Sequence, residues 1–100
     1  MKGIVYQIEH LYTGQSYVRR TVTPDRREYA HFHALRCGTH HCVKLQRAFN
    51  DWSESEFQFH ILERLEPEDL QADPDHLRNL EQKWIDFLEP EYNTRAAKGK

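Results

Sequence analysis

The sequence predicts a small mixed α/β domain: a β-hairpin, two helices, a further strand and a third helix. Three observations carry this. Residues 3–21 hold two runs of β-branched and aromatic residues separated by a glycine turn. Pro24 and Gly38 bracket a stretch of helical length. Between Leu77 and Leu88 the apolar residues return at helical spacing.

Taken in order, Gly3–His10 reads as a strand, Leu11–Gln15 as a turn around Gly14, and Ser16–Thr21 as the returning strand. Tyr6 and Tyr17 fall on the two arms and can share a face. Thr23-Pro24-Asp25 opens a helix, with Pro24 in its first turn and Asp25 and Glu28 at capping-box spacing. Tyr29, Phe32, Leu35 and Arg36 run along it, and Cys37-Gly38-Thr39 ends it with Gly38 as a left-handed cap. A second helix spans about His41 to Trp52, its apolar positions being Val43, Leu45, Ala48, Phe49 and Trp52. Glu56–Glu63 alternates through Phe57, Phe59 and Ile61 as a half-buried strand. Glu66–Ala72 is polar and acidic and reads as a loop or insert with a short helical turn. Asp73-Pro74-Asp75 starts a third helix that stops at about Leu88, before Pro90. The basic tail Thr94–Lys100 is expected to fray, so the domain is set at 1–94 with a flexible tail at 95–100.

Within the first helix Arg27 and His31 are four residues apart and lie roughly 40° apart around the axis. Ala30, Ala34 and Leu35 share that side, so both polar groups border a surface that wants burial. A half-buried arginine needs an anionic partner, and phosphate fits its fork best. In the third helix Leu77, Leu80, Trp84, Ile85 and Leu88 fall within an arc of about 140° at 3.6 residues per turn. Glu81 falls inside that apolar stripe, between Leu88 and Ile85. A carboxylate there costs several kcal/mol unless it is paired or binds a cation. Two readings stay open for it: an ion pair with an arginine of the first half, or a divalent-metal ligand.

Length and composition bound the rest. One hundred residues make one domain with a modest core, 38% apolar and 30% charged. No apolar run approaches a membrane span and no signal-peptide pattern opens the chain, which predicts a cytoplasmic protein without a membrane partner. Cys37 and Cys42 are too few for a disulfide framework. The net charge of −2 is unevenly placed: residues 1–50 hold 8 Lys+Arg and 3 Asp+Glu (+5), residues 51–100 hold 6 and 13 (−7). Six of the early cations are arginines, namely Arg19, Arg20, Arg26, Arg27, Arg36 and Arg47, which points to a local anion site.

Together these residues resemble the GIY-YIG nuclease superfamily from Gly3 to Asn93, and within it the catalytic domains of phage intron-encoded homing endonucleases. The first motif sits at Ile4-Val5-Tyr6 and the second at Tyr17-Val18-Arg19. Arg27 and His31 match the Arg-x-x-x-His of the following helix. Gly38-Thr39-His40 matches the loop histidine, followed by Lys44-Leu45-Gln46-Arg47-Ala48-Phe49-Asn50. Glu81-Gln82-Lys83-Trp84-Ile85 matches the glutamate helix, and Pro90-Glu91-Tyr92-Asn93 the closing Pro-x-Tyr-Asn. Each is weak alone; all in order at compatible spacing is specific. Ile4 and Arg19 depart from it, each standing where the motif has glycine.

The resemblance implies a three-stranded antiparallel sheet flanked by three or more helices, and a metal-dependent DNA endonuclease in a bacterial or phage-infected cell. It implies that Glu81 binds one Mg²⁺ or Mn²⁺, that Arg27 contacts the scissile phosphate, and that Tyr6 activates or positions the water. His31 is then the candidate acceptor of the Tyr6 proton, Tyr17 orients phosphate or water, and His40 is a second acid–base candidate. Arg19, Arg20, Arg26, Lys44, Arg47 and Asn93 are the candidate substrate contacts, Asn93 more as a brace than a reactant. Double-stranded DNA is the expected partner, with a separate DNA-binding domain or partner supplying specificity. Net charge −2 predicts weak, salt-sensitive binding by this domain alone. Two rivals remain. One is a catalytically impaired member that binds nucleic acid or protein. The other is a zinc module built from His31, His33, Cys37, His40, His41 and Cys42.

Overall fold

The hairpin forms as strands β1 (Gly3–His10) and β2 (Ser16–Thr21), antiparallel, with Tyr6 opposite Arg19 and Ile8 opposite Tyr17. Gly14 takes φ 77° at the turn, a conformation glycine adopts without steric cost. The computed structural model describes residues 2–93, so the tail expected to fray lies outside the described residues. Strand β3 (Phe57–Leu65) adds to the other side of β1, giving a three-stranded antiparallel sheet in the order β2-β1-β3. It runs two residues beyond the expected Glu63. The reason is a bulge: Val5 pairs with Glu63 but Tyr6 with Ile61, leaving Leu62 extra. The alternation that reads so clearly at Phe57, Phe59 and Ile61 changes phase there, which hides the end of the strand.

Two layers cover the sheet. Helices α1 (Pro24–Cys37) and α2 (Val43–Asp51) lie on one face, over a core of Ile4, Tyr6, Ile8, Tyr17, Leu35, Leu45, Phe57 and Tyr92. A short helix α3 (Pro67–Ala72) and helix α4 (His76–Leu88) lie on the other, over Val5, Val18, Leu65 and Leu77. Burying both faces explains why β1 is an almost unbroken buried strand. Leu80, Trp84, Ile85 and Leu88 pack around the second core, as the helical stripe predicts.

One cap and two boundaries differ from expectation. Helix α1 starts at Pro24, in the first turn as expected and with Thr23 as the N-cap, but the expected Asp25–Glu28 capping box does not form. Helix α2 starts at Val43, because His40 and His41 belong to the connection that Gly38, at φ 76°, turns back beneath α1. Helix α4 starts at His76; Asp73 instead accepts the Asp75 N–H on its side chain (3.1 Å), closing a turn ahead of the helix. Helix α4 ends on Glu89 in the left-handed region, at φ 48°.

Candidate active site

Pairing parity puts Tyr6, Tyr17 and Arg19 on the same face of the sheet, under α1. His31, one turn after Arg27, is buried, and its Nε2 lies 2.5 Å from the Tyr6 hydroxyl. Arg27 shares that side but stays exposed at the rim, with no ion-pair partner among the described residues. The loop after Gly38 carries His40 inward, so that its Nε2 lies 2.7 Å from His31 Nδ1. Buried Gln46 of α2 holds the loop there: its Oε1 accepts the His40 N–H (3.0 Å), and its Nε2 donates to the Leu35 carbonyl (3.0 Å) and Asn50 Oδ1 (2.9 Å). Gln46 had no role in the sequence reading, since a mid-helix glutamine carries no signal until its loop partner is known.

A second tyrosine–histidine pair lies alongside. The Tyr17 hydroxyl is 2.9 Å from Nε2 of His41, an exposed loop residue, and accepts the Arg19 Nε–H at 3.2 Å. The Arg19 guanidinium also lies over the Tyr17 ring, 5.3 Å from its centroid. His41 reads in the sequence as a polar loop residue; only the turn at Gly38 brings it to Tyr17.

Burial sets the protonation states. His31 is pushed down to about 3, by burial first and then by the charges of His40 and Arg27. His40 is pushed down to about 4, by burial and then His41. The Cys42 backbone counts weakly the other way, yet the group it aims at His40 Nδ1 is its N–H (3.0 Å), which favours a bare nitrogen. Both rings are therefore neutral at pH 7, and their tautomers follow. Nδ1 of His40 accepts from Cys42, so the proton of that ring is on Nε2 and is donated to His31 Nδ1. The His31 proton is then on Nε2 and is donated to the Tyr6 oxygen. This reverses the role expected for His31: with Nε2 already protonated, it cannot take the Tyr6 proton. Burial, chiefly, also raises the Tyr6 phenol above its ordinary value, so Tyr6 keeps its proton and has a hydrogen to donate. Burial raises Tyr17 as well, while Arg19 works against that.

Glu81 comes from α4, on the opposite face. It is buried, and its Oε1 is 2.5 Å from an Arg20 guanidinium nitrogen. Arg19 and Arg20 are consecutive on an edge strand, so they point to opposite faces; the site wraps around the edge of β2. The Glu81 charge still acts on Tyr6, Tyr17 and Arg19. Arg20, expected as a substrate contact, is thus engaged by Glu81. Asn93, also expected as one, is engaged too: its Oδ1 accepts the Val18 N–H and its Nδ2 donates to the Val18 carbonyl, both 2.7 Å. It occupies the outward backbone groups of an edge strand, a brace. Lys44 and Arg47 line a separate groove of about 370 Å³ with His10, Trp52 and Tyr92, and Arg26 is exposed on α1. A larger groove of about 630 Å³, between Tyr29, Phe32, Phe57 and Phe59, holds none of the expected site residues.

The residues fit one hard cation better than zinc. Among the described residues no three His, Cys, Asp or Glu side chains converge to hold a metal ion. His33 and Cys37 lie 3.7 Å apart, with Tyr29 stacked on the His33 ring, and the Cys42 thiol donates to the Tyr92 carbonyl. The zinc module is therefore not built. A single carboxylate at Glu81 suits Mg²⁺, which takes one or two carboxylates and completes its shell with water and phosphate oxygens. Arg20, half-exposed, is the group that would have to release it.

No protein-family model and no curated protein matches the chain. Two solved structures do. A glutamate-to-alanine mutant of the catalytic domain of intron endonuclease I-TevI is 29% identical over 100% of this chain and 98% of its own, with TM-score 0.77. The catalytic domain of homing endonuclease I-TevI is 29% identical over 87% of this chain and 88% of its own, with TM-score 0.76. Sheet order and this likeness over the full chain show the fold of a homing-endonuclease catalytic domain, and with the motifs in sequence order they support the resemblance to the GIY-YIG superfamily.

Proposed function

We propose that the chain is a metal-dependent DNA endonuclease that hydrolyses phosphodiester bonds with one divalent cation, Mg²⁺ or Mn²⁺, at Glu81. The observation that carries this is a convergence around one sheet edge. Two tyrosines, two neutral histidines, a rim arginine with no ion-pair partner among the described residues and a buried carboxylate meet there. A cation bound by Glu81 supplies charge neutralisation on the phosphate and stabilises the departing oxygen. The chain's own groups do the rest. Arg27 binds a phosphate oxygen with its guanidinium fork. Tyr6, fixed by the His31 donor, gives its hydroxyl hydrogen to the phosphate or the water. His40 acts through His31, holding its tautomer. Arg26, Lys44 and Arg47 lie farther out and make ordinary backbone-phosphate contacts.

The test is plasmid nicking with and without Mg²⁺, on the parent, Glu81→Ala and Arg27→Ala. Metal-dependent nicking, abolished by EDTA and lost in both variants, supports the reading. Nicking that survives both variants refutes the assignment. A second reading, a DNA-binding member that does not cut, is favoured by the Arg20–Glu81 pair, which engages the carboxylate the metal needs. It is the better one if the parent binds duplex DNA in low salt and never cuts.

A further inference from the structure

Lys44 and Arg47 line a groove of about 370 Å³, ample for a small ligand. His10, at the end of β1, also lines it and is 1% exposed. The turn residue Thr13 engages one ring nitrogen, its Oγ1 lying 2.9 Å from Nδ1. The other nitrogen, Nε2, is buried and has no hydrogen-bond partner among the described residues. Phe57 stacks on the ring at 4.7 Å, a contact that a phenylalanine in place of the histidine would make equally well. A buried nitrogen left unpaired is costly, so a histidine here points to a partner that arrives from outside the fold.

An aromatic platform stands beside it. Trp52 lies edge-on to the His10 ring at 4.8 Å and is 40% exposed. Tyr12, on the hairpin turn and 74% exposed, lies 5.0 Å from the indole. Asp51 and Glu91 share the groove with Lys44 and Arg47, and none of the four has an ion-pair partner among the described residues. Two cations beside two carboxylates make a poor site for a lone anion. They suit a flat heterocycle with donors and acceptors on its edge and a phosphate on each side.

We propose that this groove seats one unpaired base of the DNA strand, stacked on Trp52 and Tyr12. This deepens the endonuclease reading and rests on DNA being its partner. His10 Nε2 meets the edge of the base, Asp51 and Glu91 accept from its amino group, and Lys44 and Arg47 hold the flanking phosphates. Tyr6 and His10 are four residues apart on β1, hence on one face and roughly 13 Å apart along the strand. At a rise of about 3.4 Å per nucleotide, the seated base lies about four nucleotides from a phosphate at Tyr6. A paired base must first leave its stack, at a cost that is smallest for a bulged or mismatched one. The groove thus selects DNA with an unpaired nucleotide near the cut.

The experiment measures duplex binding in EDTA, where no strand is cut. Fluorescence anisotropy compares a fully paired duplex with the same duplex carrying one bulged adenine. The proteins are the parent, Trp52→Ala, Tyr12→Ala and His10→Phe, with circular dichroism to confirm folding. The parent is expected to bind the bulged duplex about tenfold more tightly. Trp52→Ala and Tyr12→Ala are expected to remove most of that preference. His10→Phe keeps the stacking on Phe57 and loses the nitrogen. It is expected to raise Tm and to cut the preference about threefold, whereas a merely structural His10 would move Tm alone. With 2-aminopurine in place of the bulged adenine, emission is expected to fall on binding to the parent and to stay unchanged on binding to Trp52→Ala. A parent that binds the two duplexes equally, or binds neither, overturns the proposal. So does an undiminished preference in folded Tyr12→Ala. Free deoxyadenosine monophosphate that competes at concentrations as low as the bulged duplex also overturns it, by making the groove a site for a free nucleotide. The endonuclease reading fails separately, by a parent that never nicks plasmid with Mg²⁺, because the binding comparison involves no cleavage.

Discussion

Replacing Gln46 with leucine tests how the histidine chain is held. The amide is buried and makes three hydrogen bonds, to His40 N–H, the Leu35 carbonyl and Asn50. Leucine has similar volume and offers none. The His40 N–H loses its acceptor inside the fold, and an unsatisfied buried donor costs about 1–3 kcal/mol. The Leu35 carbonyl keeps the Gly38 N–H at 3.2 Å, so its loss is smaller. Added apolar burial returns roughly 1 kcal/mol. The net expectation is a destabilisation of about 1–2 kcal/mol, or a drop in Tm of about 4–16 °C for a domain of this size. Thermal and urea unfolding followed by circular dichroism measure it. A variant within about 0.5 kcal/mol of the parent would refute the idea that Gln46 anchors the loop. Nitrogen chemical shifts of the histidine rings give a second check: His31 and His40 in the parent carry their protons on Nε2, and Gln46→Leu is expected to mix the tautomers.

Three further outcomes follow from the same structure. His31 and His40 titrate well below the ordinary ~6.5 of an unfolded histidine. In the window from pH 6.5 down to about 4 the unfolded chain takes up protons that the folded one refuses, so stability falls as pH falls. Urea midpoints at pH 7 and pH 5 test this; a midpoint unchanged or higher at pH 5 contradicts it. Asn93→Ala strips the Val18 N–H and carbonyl of both bonds and is expected to cost about 2–4 kcal/mol, read from the urea midpoint; less than about 1 kcal/mol would mean that water replaces the amide. Glu89→Gly relieves a left-handed non-glycine cap worth about 1–2 kcal/mol but adds unfolded-state freedom of about 0.5–1 kcal/mol, so a small gain of about 0.5 kcal/mol is expected, read from Tm; a loss would mean the Glu89 side chain contributes more than its backbone costs.

What was legible in the sequence was what local chemistry dictates. The hairpin, the Gly38 cap and the α4 stripe each depend on residues within a few turns of one another, and each is observed. Glu81 was legible as a buried carboxylate for the same reason, although not which arginine it meets. The bulge at Leu62 was not legible, because the extra residue is defined by β1 and not by β3. Nor were the histidine roles. Their tautomers are set by one backbone N–H at Cys42, and a sequence does not say where an N–H points. Asn93 illustrates the same limit: its type says hydrogen bonding, and only the edge of β2 says to what.

The geometry of that edge explains why groups far apart in the chain belong to one site. Arg19 reaches Tyr17 on one face and Arg20 reaches Glu81 on the other because they are neighbours on a strand. A slip of one residue in the β1–β2 register would exchange the two guanidinium groups and turn Tyr17 away from the histidines. The register is held at one end by the Gly14 turn and along the outer edge by Asn93, which grips Val18 between the two critical residues of β2. The groups of the candidate site need only be near the edge; their alignment comes from the brace. Charge follows the same division. The neutral imidazoles are buried and chained to each other, while Arg27 stands at the rim, where its guanidinium keeps its hydration.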